Sequence, residues 1–450
     1  MRATLIFLCA SLVSLHEELA RGYLAEVEAL SIGDHGTPTS VDEQHARAPL
    51  PWNGKPCSSK GCLPSFLIIG AGKAGTSSLY YYLQDHPHVQ KARQKQVQFF
   101  DHQWSRGLPW YLSHFPRRMP EGHVTGEASP GYIVYSRVPA LVLSATPQAR
   151  IIALVREPID RLWSSYHYNY LDVLQASRSR DAARLGVQWN GEHRKRSGGL
   201  DVKADAEHFV GVEIAMLKEC FDAHGYSPRR GTGPRGVAGN KGDATEVESP
   251  RSKLLDVTET CINSVPLPEH LGRIRKAVVD ASLPSLSISP GDVQFPSANS
   301  HLYRQFVTRG LYSIMLEHWF AIFPGDQIAV VCTEALAGAG AGSDSSITST
   351  ASSSSPSEAL SAAARTVARV AVFIGLDPSL ANDFKETVAS GKFNAAANRG
   401  YEKVTTWEAA AKSERGRPAM DLSLSRTLQE FYAPFNERLF ELSGGRCHWP

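Results

Sequence analysis

Short apolar runs separated by helical patterns are the main feature of this chain. Phe66 to Ile69 has the length and branched character of a buried strand, and the run from Ile151 to Val155 is similar. Two further strands are predicted at Val124–Gly126 and Gln327–Val331. Helical spacing of apolar residues predicts helices at Val138–Ala145, Phe209–Phe221, Leu311–Phe320, Ala359–Ile374 and Leu422–Leu442. Strands that alternate with helices predict an α/β fold of three layers around a central parallel sheet.

The chain is longer than one typical domain, but much of the excess has the composition of insertions. Its 450 residues include stretches rich in Gly, Pro, Ser or charge at about 175–205, 225–252 and 337–358. We therefore predict a single domain over residues 61–450 with disordered insertions. The first insert is basic, and two interpretations stay open: it contacts an anionic glycan, or it is a solvated linker.

The N-terminus resembles a targeting segment. Residues 3–15 are almost entirely apolar and follow Met1-Arg2, which is the length of a signal-peptide core and shorter than the roughly 20 residues of a membrane-spanning helix. We predict a signal peptide or short signal anchor at 1–20 and a stem at 21–60. A buried N-terminal helix is the alternative.

Charge and cysteine content narrow the possible partners. Lys and Arg number 47 and Asp and Glu 45, so the formal net charge is +2. That balance provides no global field for steering a polyanion, and we expect no nucleic-acid partner. Apart from Cys9 in the N-terminal apolar run, six cysteines remain, an even number that permits disulfides in a secretory protein. No His or Cys pairs have zinc-site spacing, so we expect no metal.

A glycine-rich loop follows the first predicted strand. Gly70 to Gly75 separates that strand from Thr76-Ser77-Ser78 and a helical pattern. Glycines let backbone N–H groups approach an anion, the helix N-terminus adds partial positive charge, and Lys73 would add a mobile cation. The spacing is not Walker A, because Ala74 and Gly75 follow the lysine. The loop predicts a phosphate site in a P-loop-like fold, with a plain strand–helix turn as the alternative.

A second strand–helix junction carries matching chemistry. The apolar run after Arg150 ends at Arg156, and the chain enters a helix through Pro158. Ser164 lies two turns further on, so Arg156 and Ser164 could reach one ligand group. The carboxyl ends of parallel strands are where open α/β sheets bind ligands.

These two motifs resemble the sulfotransferases that use 3′-phosphoadenosine 5′-phosphosulfate (PAPS). Further blocks resemble the heparan sulfate glucosaminyl (N- and 3-O-) sulfotransferase branch and occur in that family's order: Gln96–Asp101, Gly107–Leu112, Gly126–Tyr132, Arg309–Tyr312 and Arg415–Pro418. The resemblance implies transfer of a sulfuryl group from PAPS to a hydroxyl or amino group of a glycan, leaving PAP as product and needing no metal. It also implies a place in the Golgi lumen or secretory pathway, either anchored by a type II segment or secreted.

The same resemblance assigns roles to individual residues. Lys73 matches the lysine that neutralises the bridging oxygen as PAP leaves, and Arg156 and Ser164 match the pair that holds the 3′-phosphate. The remaining assignments are donors to the 5′-phosphate at Gly72, Ala74, Gly75, Thr76 and Ser77, and a loop that closes over the nucleotide at Arg415, Gly416 and Arg417.

The chain departs from the family at the position of the catalytic base. The relatives have a glutamate where this chain has Gln96, and a neutral amide is a poor proton acceptor. Glu127 and Asp101 are the first candidates for a relocated base, followed by His102. A structural role for Glu127 is the alternative. Gln96 also leaves open a catalytically impaired protein that binds PAPS and glycan. A P-loop kinase is the third reading, although the missing Gly-Lys-Ser/Thr and the Arg156–Ser164 motif argue against it.

Overall fold

The computed structural model describes residues 57–136, 138–171, 202–228, 254, 257–263, 305–336, 356–381, 384–395, 402–415 and 418–449. The predicted signal segment and the stem up to residue 56 lie outside these residues, as do 175–201, 229–252 and 337–355 of the predicted inserts. Described residues occur at the edges of the predicted stem and of two predicted inserts. Cys57 already contacts the domain, and residues 202–205 and 356–358 begin helices. Within the described ranges, no helix has the length and apolarity that a membrane span requires.

The core is a five-stranded, entirely parallel sheet, as the alternating pattern predicted. Its strands lie in the order β2-β3-β1-β4-β5. The central three are buried along nearly their whole length, because helices cover both faces of a parallel sheet. The strands are β1 (Phe66–Gly70), β2 (Val89–Gln90), β3 (Val124–Ala128), β4 (Arg150–Val155) and β5 (Ile328–Cys332).

Helices occupy the connections between the strands and the C-terminal part of the chain. They are α1 (Thr76–Leu83), α2 (Leu108–Leu112), α3 (Val138–Ala145), α4 (Pro158–Ser165), α5 (Val202–Ala223), α6 (Tyr312–Ile322), α7 (Pro356–Phe373), α8 (Lys385–Ala389), α9 (Trp407–Arg415) and α10 (Leu422–Leu442). A short antiparallel pair, β6 (Lys392–Phe393) and β7 (Val404–Thr405), precedes α9. Every helix and strand predicted from the hydrophobic pattern is present. The three-layer α/β prediction is therefore confirmed.

Six cysteines form three disulfides in the described part of the chain. Cys57 pairs with Cys62, Cys220 with Cys261, and Cys332 with Cys447. The last bond ties the end of β5 to the C-terminus, 115 residues away in the sequence. A cross-link over so long a loop restricts the unfolded chain strongly.

The helix α5 packs on the domain, as predicted from its apolar spacing. Its buried carboxylate, Glu213, accepts hydrogen bonds from the backbone N–H groups of Val307 and Thr308 at 2.9 and 2.7 Å. The Thr308 hydroxyl donates to the same carboxylate at 2.6 Å. These bonds fix the segment before α6, where Arg161 of α4 donates to the Phe306 carbonyl.

Candidate active site

The candidate site lies where the strand order reverses. The neighbours of β1 are β3 on one side and β4 on the other, so the crevice beyond the ends of β1 and β4 is a topological switch point. The glycine loop leaves the end of β1, and the Ala71 N–H donates to the Leu154 carbonyl of β4 at 2.6 Å. The Thr333 hydroxyl, just after β5, lies 2.7 Å from the Ala74 carbonyl and 3.0 Å from the Val155 carbonyl. Thr333 therefore links the glycine loop to the end of β4.

The glycine loop has the conformation of an anion-binding turn. Lys73 and Gly75 both have positive φ angles, 72° and 84°, a left-handed conformation that recurs in anion-binding turns. Gly75 is the N-cap of α1 and has no side chain to cap the helix, so the first N–H groups of α1 are available to a ligand. A Cβ at Gly72 would meet no atom within 4 Å, so there is open space beside the loop. These features fit a phosphate group.

The predicted phosphate donors of this loop differ in availability. Thr76 and Ser77 are the first two residues of α1, and both side chains are almost buried, at 5% and 7% exposure. The N–H of Ala74 donates to the Ala71 carbonyl at 3.1 Å and is already used within the loop. Gly72 is exposed, whereas Gly75 is half-buried.

Lys73 contacts an aromatic ring next to the loop. Its Nζ lies 3.4 Å from the centre of the Tyr168 ring, in the turn that continues α4. The Tyr168 hydroxyl donates to Asn394 Oδ1 at 3.3 Å. Lys73 is thereby held near the loop through a cation–π contact, which is strongest for a partly desolvated ammonium.

Arg156 directly follows β4, at the same edge of the sheet as the glycine loop. Its guanidinium NH2 lies 3.3 Å from the Asp160 carboxylate, and its side chain remains 25% exposed. Burial opposes the charged form, but the nearby carboxylates of Asp160, Glu414 and Glu334 outweigh it and raise the pKa of Arg156. Arg156 therefore carries its charge at any physiological pH.

The predicted nucleotide-closing segment begins at α9 and returns to α4 beside Ser164. Arg415 is the last residue of α9, whereas Gly416 and Arg417 lie outside the described residues. Immediately after them, the Pro418 carbonyl accepts a hydrogen bond from Trp163 Nε1 at 3.1 Å. Trp163 precedes Ser164, which is half-buried on α4. Pro418, immediately after this segment, therefore lies against α4.

Contacts that the sequence did not predict join β6 to the helix behind the glycine loop. The Phe393 N–H donates to Ser78 Oγ at 3.1 Å, and the Phe393 ring stacks on Tyr81 with ring centres 4.8 Å apart. Lys392 forms an ion pair with Glu414 of α9 at 2.6 Å. Thr333 directly follows a predicted parallel strand, so its place near the site could have been predicted from the sequence. The β6 contacts are long-range and had no local signal.

Glu127 is a fully buried carboxylate on β3 with four hydrogen-bond donors. Tyr111 and Tyr132 donate their hydroxyls to Oε1 at 3.0 and 2.7 Å. Ser129 Oγ and the Val97 N–H donate to Oε2 at 2.6 and 3.1 Å. Burial raises the pKa of Glu127, and these hydrogen bonds oppose that rise. The carboxylate has no exposed surface, and the geometry gives its predicted role as base no support.

The Glu127 network fixes the segment that contains Gln96. The Ala128 N–H donates to the Lys95 carbonyl at 2.8 Å, and the Gln98 N–H donates to Ser129 Oγ at 2.9 Å. Gln96 is half-buried within this segment, at the carboxyl end of β3. Gln96, where the family resemblance leads us to expect a base, therefore lies at the same sheet edge as the glycine loop.

The other two candidate bases, Asp101 and His102, are adjacent in a tight helical turn. The Asp101 side chain is fully buried, and burial, followed by the charge of Glu127, raises its pKa to about 7. His102 Nε2 lies 3.8 Å from Asp101 Oδ2, and its side chain is 17% exposed. Of the three candidates, His102 is the one with a partly exposed side chain.

One group of metal-ligand atoms exists among the described residues, far from the glycine loop in sequence. Cys220, His224 and Cys261 place their ligand atoms within 4.8 Å of one another. The two sulfurs are bonded to each other, however, and His224 Nδ1 lies 2.8 Å from the Cys220 carbonyl. A disulfide offers no thiolate to a metal.

The chain is similar to known sulfotransferases over part of its length. Residues 63–187 match the family described as sulfotransferase domain. A membrane-associated sulfotransferase, kil1, of Dictyostelium discoideum is 25% identical over 283 residues, which is 61% of this chain and 53% of that protein. Heparan sulfate glucosamine 3-O-sulfotransferase 6 of Homo sapiens is 38% identical over 103 residues, 23% of this chain and 30% of that protein. A sulfotransferase structure from Alicyclobacillus acidocaldarius aligns at 17% identity over 85% of this chain and 96% of that chain, with a TM-score of 0.40.

The curated matches cover only part of each relative. The chain spans about half the length of the Dictyostelium protein and about a third of the human one. The family match at residues 63–187 includes β1, the glycine loop and β4, and it supports sulfuryl transfer as the chemistry. The resemblance inferred from the motifs is confirmed: residues 63–187 match a sulfotransferase domain, and part of the chain is similar to heparan sulfate glucosamine 3-O-sulfotransferases.

Proposed function

We propose that this protein transfers a sulfuryl group from PAPS to a hydroxyl or amino group of a glycan. The observation that carries the proposal is the placement of the glycine loop and Arg156 at the ends of the neighbouring strands β1 and β4. One anionic nucleotide can then contact an uncapped helix N-terminus and a charged guanidinium together. Two separate phosphate groups, as in PAPS, suit that pair of sites.

Charge stabilisation is the main chemical task of such a site. A sulfuryl group passes in line from the phosphate to the acceptor, and negative charge develops on the leaving phosphate oxygen. In our proposal Lys73, oriented by the Tyr168 ring, neutralises that oxygen, while Gly75, Thr76 and Ser77 hold the 5′-phosphate. Arg156 and Ser164 take the 3′-phosphate, with Arg415, Gly416 and Arg417 closing over the nucleotide.

The acceptor side of the site lacks an evident strong base. We propose that Glu127 has a structural role and fixes the segment carrying Gln96, because both its oxygens accept hydrogen bonds inside the core. Gln96 can orient the acceptor but cannot take its proton. His102, adjacent to Asp101, is then the first candidate for proton transfer.

The neutral Gln96 at the expected position of the base favours a second candidate function. A protein that has kept its nucleotide site but lost its base would bind PAPS and glycan and transfer sulfate slowly or not at all. Gln96 and the enclosed Glu127 are the features that support it.

A glycan acceptor and the secretory pathway complete the proposal. The human relative acts, by its name, on heparan sulfate glucosamine. Three disulfides within one domain are typical of an oxidising compartment, which agrees with a lumenal protein.

Nucleotide protection against thermal unfolding tests the donor. PAP should raise the melting temperature, because a ligand that binds only the folded state stabilises it. Adenosine 5′-phosphosulfate should protect less at equal concentration, and ATP least. Protection by ATP alone would favour the kinase reading.

A further inference from the structure

The segment before Gln96 contains one lysine that is buried, although its basic neighbours are exposed. Lys91 and Arg93 are exposed, whereas Lys95 is 5% exposed. Its Nζ reaches α1 and lies 3.4 Å from Thr76 Oγ1, a long hydrogen bond. Basic residues alternate along this segment at 91, 93 and 95, and Lys95 alone of the three is buried. Buried lysines are rare and usually have a specific partner.

The Lys95–Thr76 contact has a consequence for the direction of the Thr76 hydroxyl. When Lys95 is protonated, its ammonium has only donors, so Thr76 Oγ1 then acts as the acceptor. The single hydroxyl hydrogen of Thr76 is then free to point to another acceptor. Thr76 is also the first residue of α1, where its backbone N–H faces outward along the helix axis.

The charge on Lys95 depends on its buried surroundings. Burial lowers the pKa of Lys95 to about 7, and the charge of Glu127 on β3 opposes that fall. The other titratable groups of this region are the phenols and the carboxyl that interact with Glu127: Tyr80 of α1, Tyr111 of α2, Tyr132 and Asp101. The phenols are neutral at physiological pH, because burial raises the pKa of each of them.

We propose that Lys95 is a positioning residue of the glycine loop, whose ammonium turns the Thr76 hydroxyl toward a bound 5′-phosphate and which takes up a proton when the nucleotide binds. The inference rests on the proposed PAPS site and goes beyond it, since it places a second cation behind the loop. Lys73 acts on the leaving oxygen from the front, whereas Lys95 acts through Thr76.

Proton linkage predicts the direction in which nucleotide affinity changes with pH. A lysine that is largely neutral above pH 7 in the free protein becomes charged when an anion binds nearby, because the anion favours the ammonium. The complex then holds more protons than the free protein, so nucleotide affinity falls as pH rises above about 7. At pH 8 the nucleotide phosphates are already fully ionised, so they contribute little to this exchange.

Calorimetric titration with PAP at pH 8, in buffers of different ionisation enthalpy, measures the protons exchanged. The wild type should take up most of one proton per PAP, up to roughly 0.9 if the bound lysine is fully charged. Lys95→Met should bind PAP about tenfold or more weakly and take up much less. Lys95→Arg should retain affinity without the uptake, because arginine is always charged. Lys91→Met, at an exposed neighbour, should behave as wild type.

Three results would count against the proposal. Uptake near zero in the wild type overturns it whether or not the variants fold. Uptake that persists in Lys95→Met assigns the proton to another group, such as Asp101. If PAP does not bind the wild type at all, the proposed function fails together with this inference, whereas binding without uptake overturns this inference alone.

Discussion

Lys73 Nζ lies 3.4 Å from the centre of the Tyr168 ring, so the lysine of the glycine loop has an aromatic partner from the turn after α4. The contact joins the two motifs that were first recognised separately in the sequence. One is the loop after β1, and the other is the strand–helix junction after β4. Tyr168 also bonds Asn394 near β6, so three distant segments meet at Tyr168.

Removing the Tyr168 ring should impair transfer more than nucleotide binding. A cation–π contact is worth about 0.5–2 kcal/mol, so Tyr168→Leu should slow transfer by roughly 2- to 30-fold as Lys73 loses its orientation. Tyr168→Phe keeps the ring and loses only the bond to Asn394, and it should remain close to wild type. Steady-state kinetics on both variants would check this, and equal rates for Leu and Phe would exclude an orienting role for the ring.

Arg156 should discriminate nucleotides by their 3′-phosphate. Losing a charged hydrogen bond costs roughly 1.5–3 kcal/mol, so Arg156→Ala should weaken PAP binding by more than tenfold. Adenosine 5′-phosphosulfate, which lacks the 3′-phosphate, should lose much less. Arg150 lies at the opposite end of the same strand and bonds the Asp326 carbonyl, which makes Arg150→Ala the matched control. Equal weakening of both nucleotides by Arg156→Ala would indicate a less specific role.

The hydrophobic pattern predicted the fold well because the strands β1, β4 and β5 are nearly continuous apolar runs. Phe66–Gly70 and Arg150–Val155 are buried along nearly their whole length, and periodicity is sufficient to find such strands. The rule that ligands bind at the carboxyl ends of strands likewise placed Lys73 and Arg156 at one edge. The strands and the placement of these two residues could be predicted because each depends on a short stretch of sequence.

Burial of polar groups could not be predicted in the same way. Glu127 and Lys95 occur in polar surroundings in the sequence, yet both are enclosed by residues from α1, α2 and the turn after β3. Which charged side chain enters the core depends on long-range partners such as Tyr111 and Tyr132. The choice of Glu127 as first-ranked base relied on its type and position alone.

The buried Asp101 should make stability depend on pH. Its pKa rises from 3.8 to about 7 on folding, so the folded state holds a proton that the unfolded state releases. Its contribution is fully present below about pH 4 and is lost as pH rises through about 7. Asp101→Asn should therefore reduce the drop in melting temperature between pH 5 and pH 7.5. An unchanged drop would show that other groups, such as Glu157, carry the dependence.

Gln96 and Glu127 should respond oppositely to exchange of amide and carboxylate. Gln96→Glu should raise transfer by roughly 10²–10⁴-fold if the site lacks only its base. Glu127→Gln should instead lower the melting temperature. In the variant an amide nitrogen would face the hydrogen-bond donors that bond a carboxylate oxygen in the wild type, at a cost of about 1–3 kcal/mol. A stable Glu127→Gln protein that binds PAP normally but has lost transfer would restore Glu127 as the base.

The most direct test is transfer of radiolabelled sulfate from PAPS to a panel of defined polysaccharides. The wild type should label at least one glycan, and Lys73→Ala should lose about a hundredfold or more in rate while retaining much of its PAP affinity. Lys91→Ala, an exposed lysine, should transfer normally. Normal turnover by Lys73→Ala, or a wild type that neither binds PAP nor labels any glycan, would contradict the account.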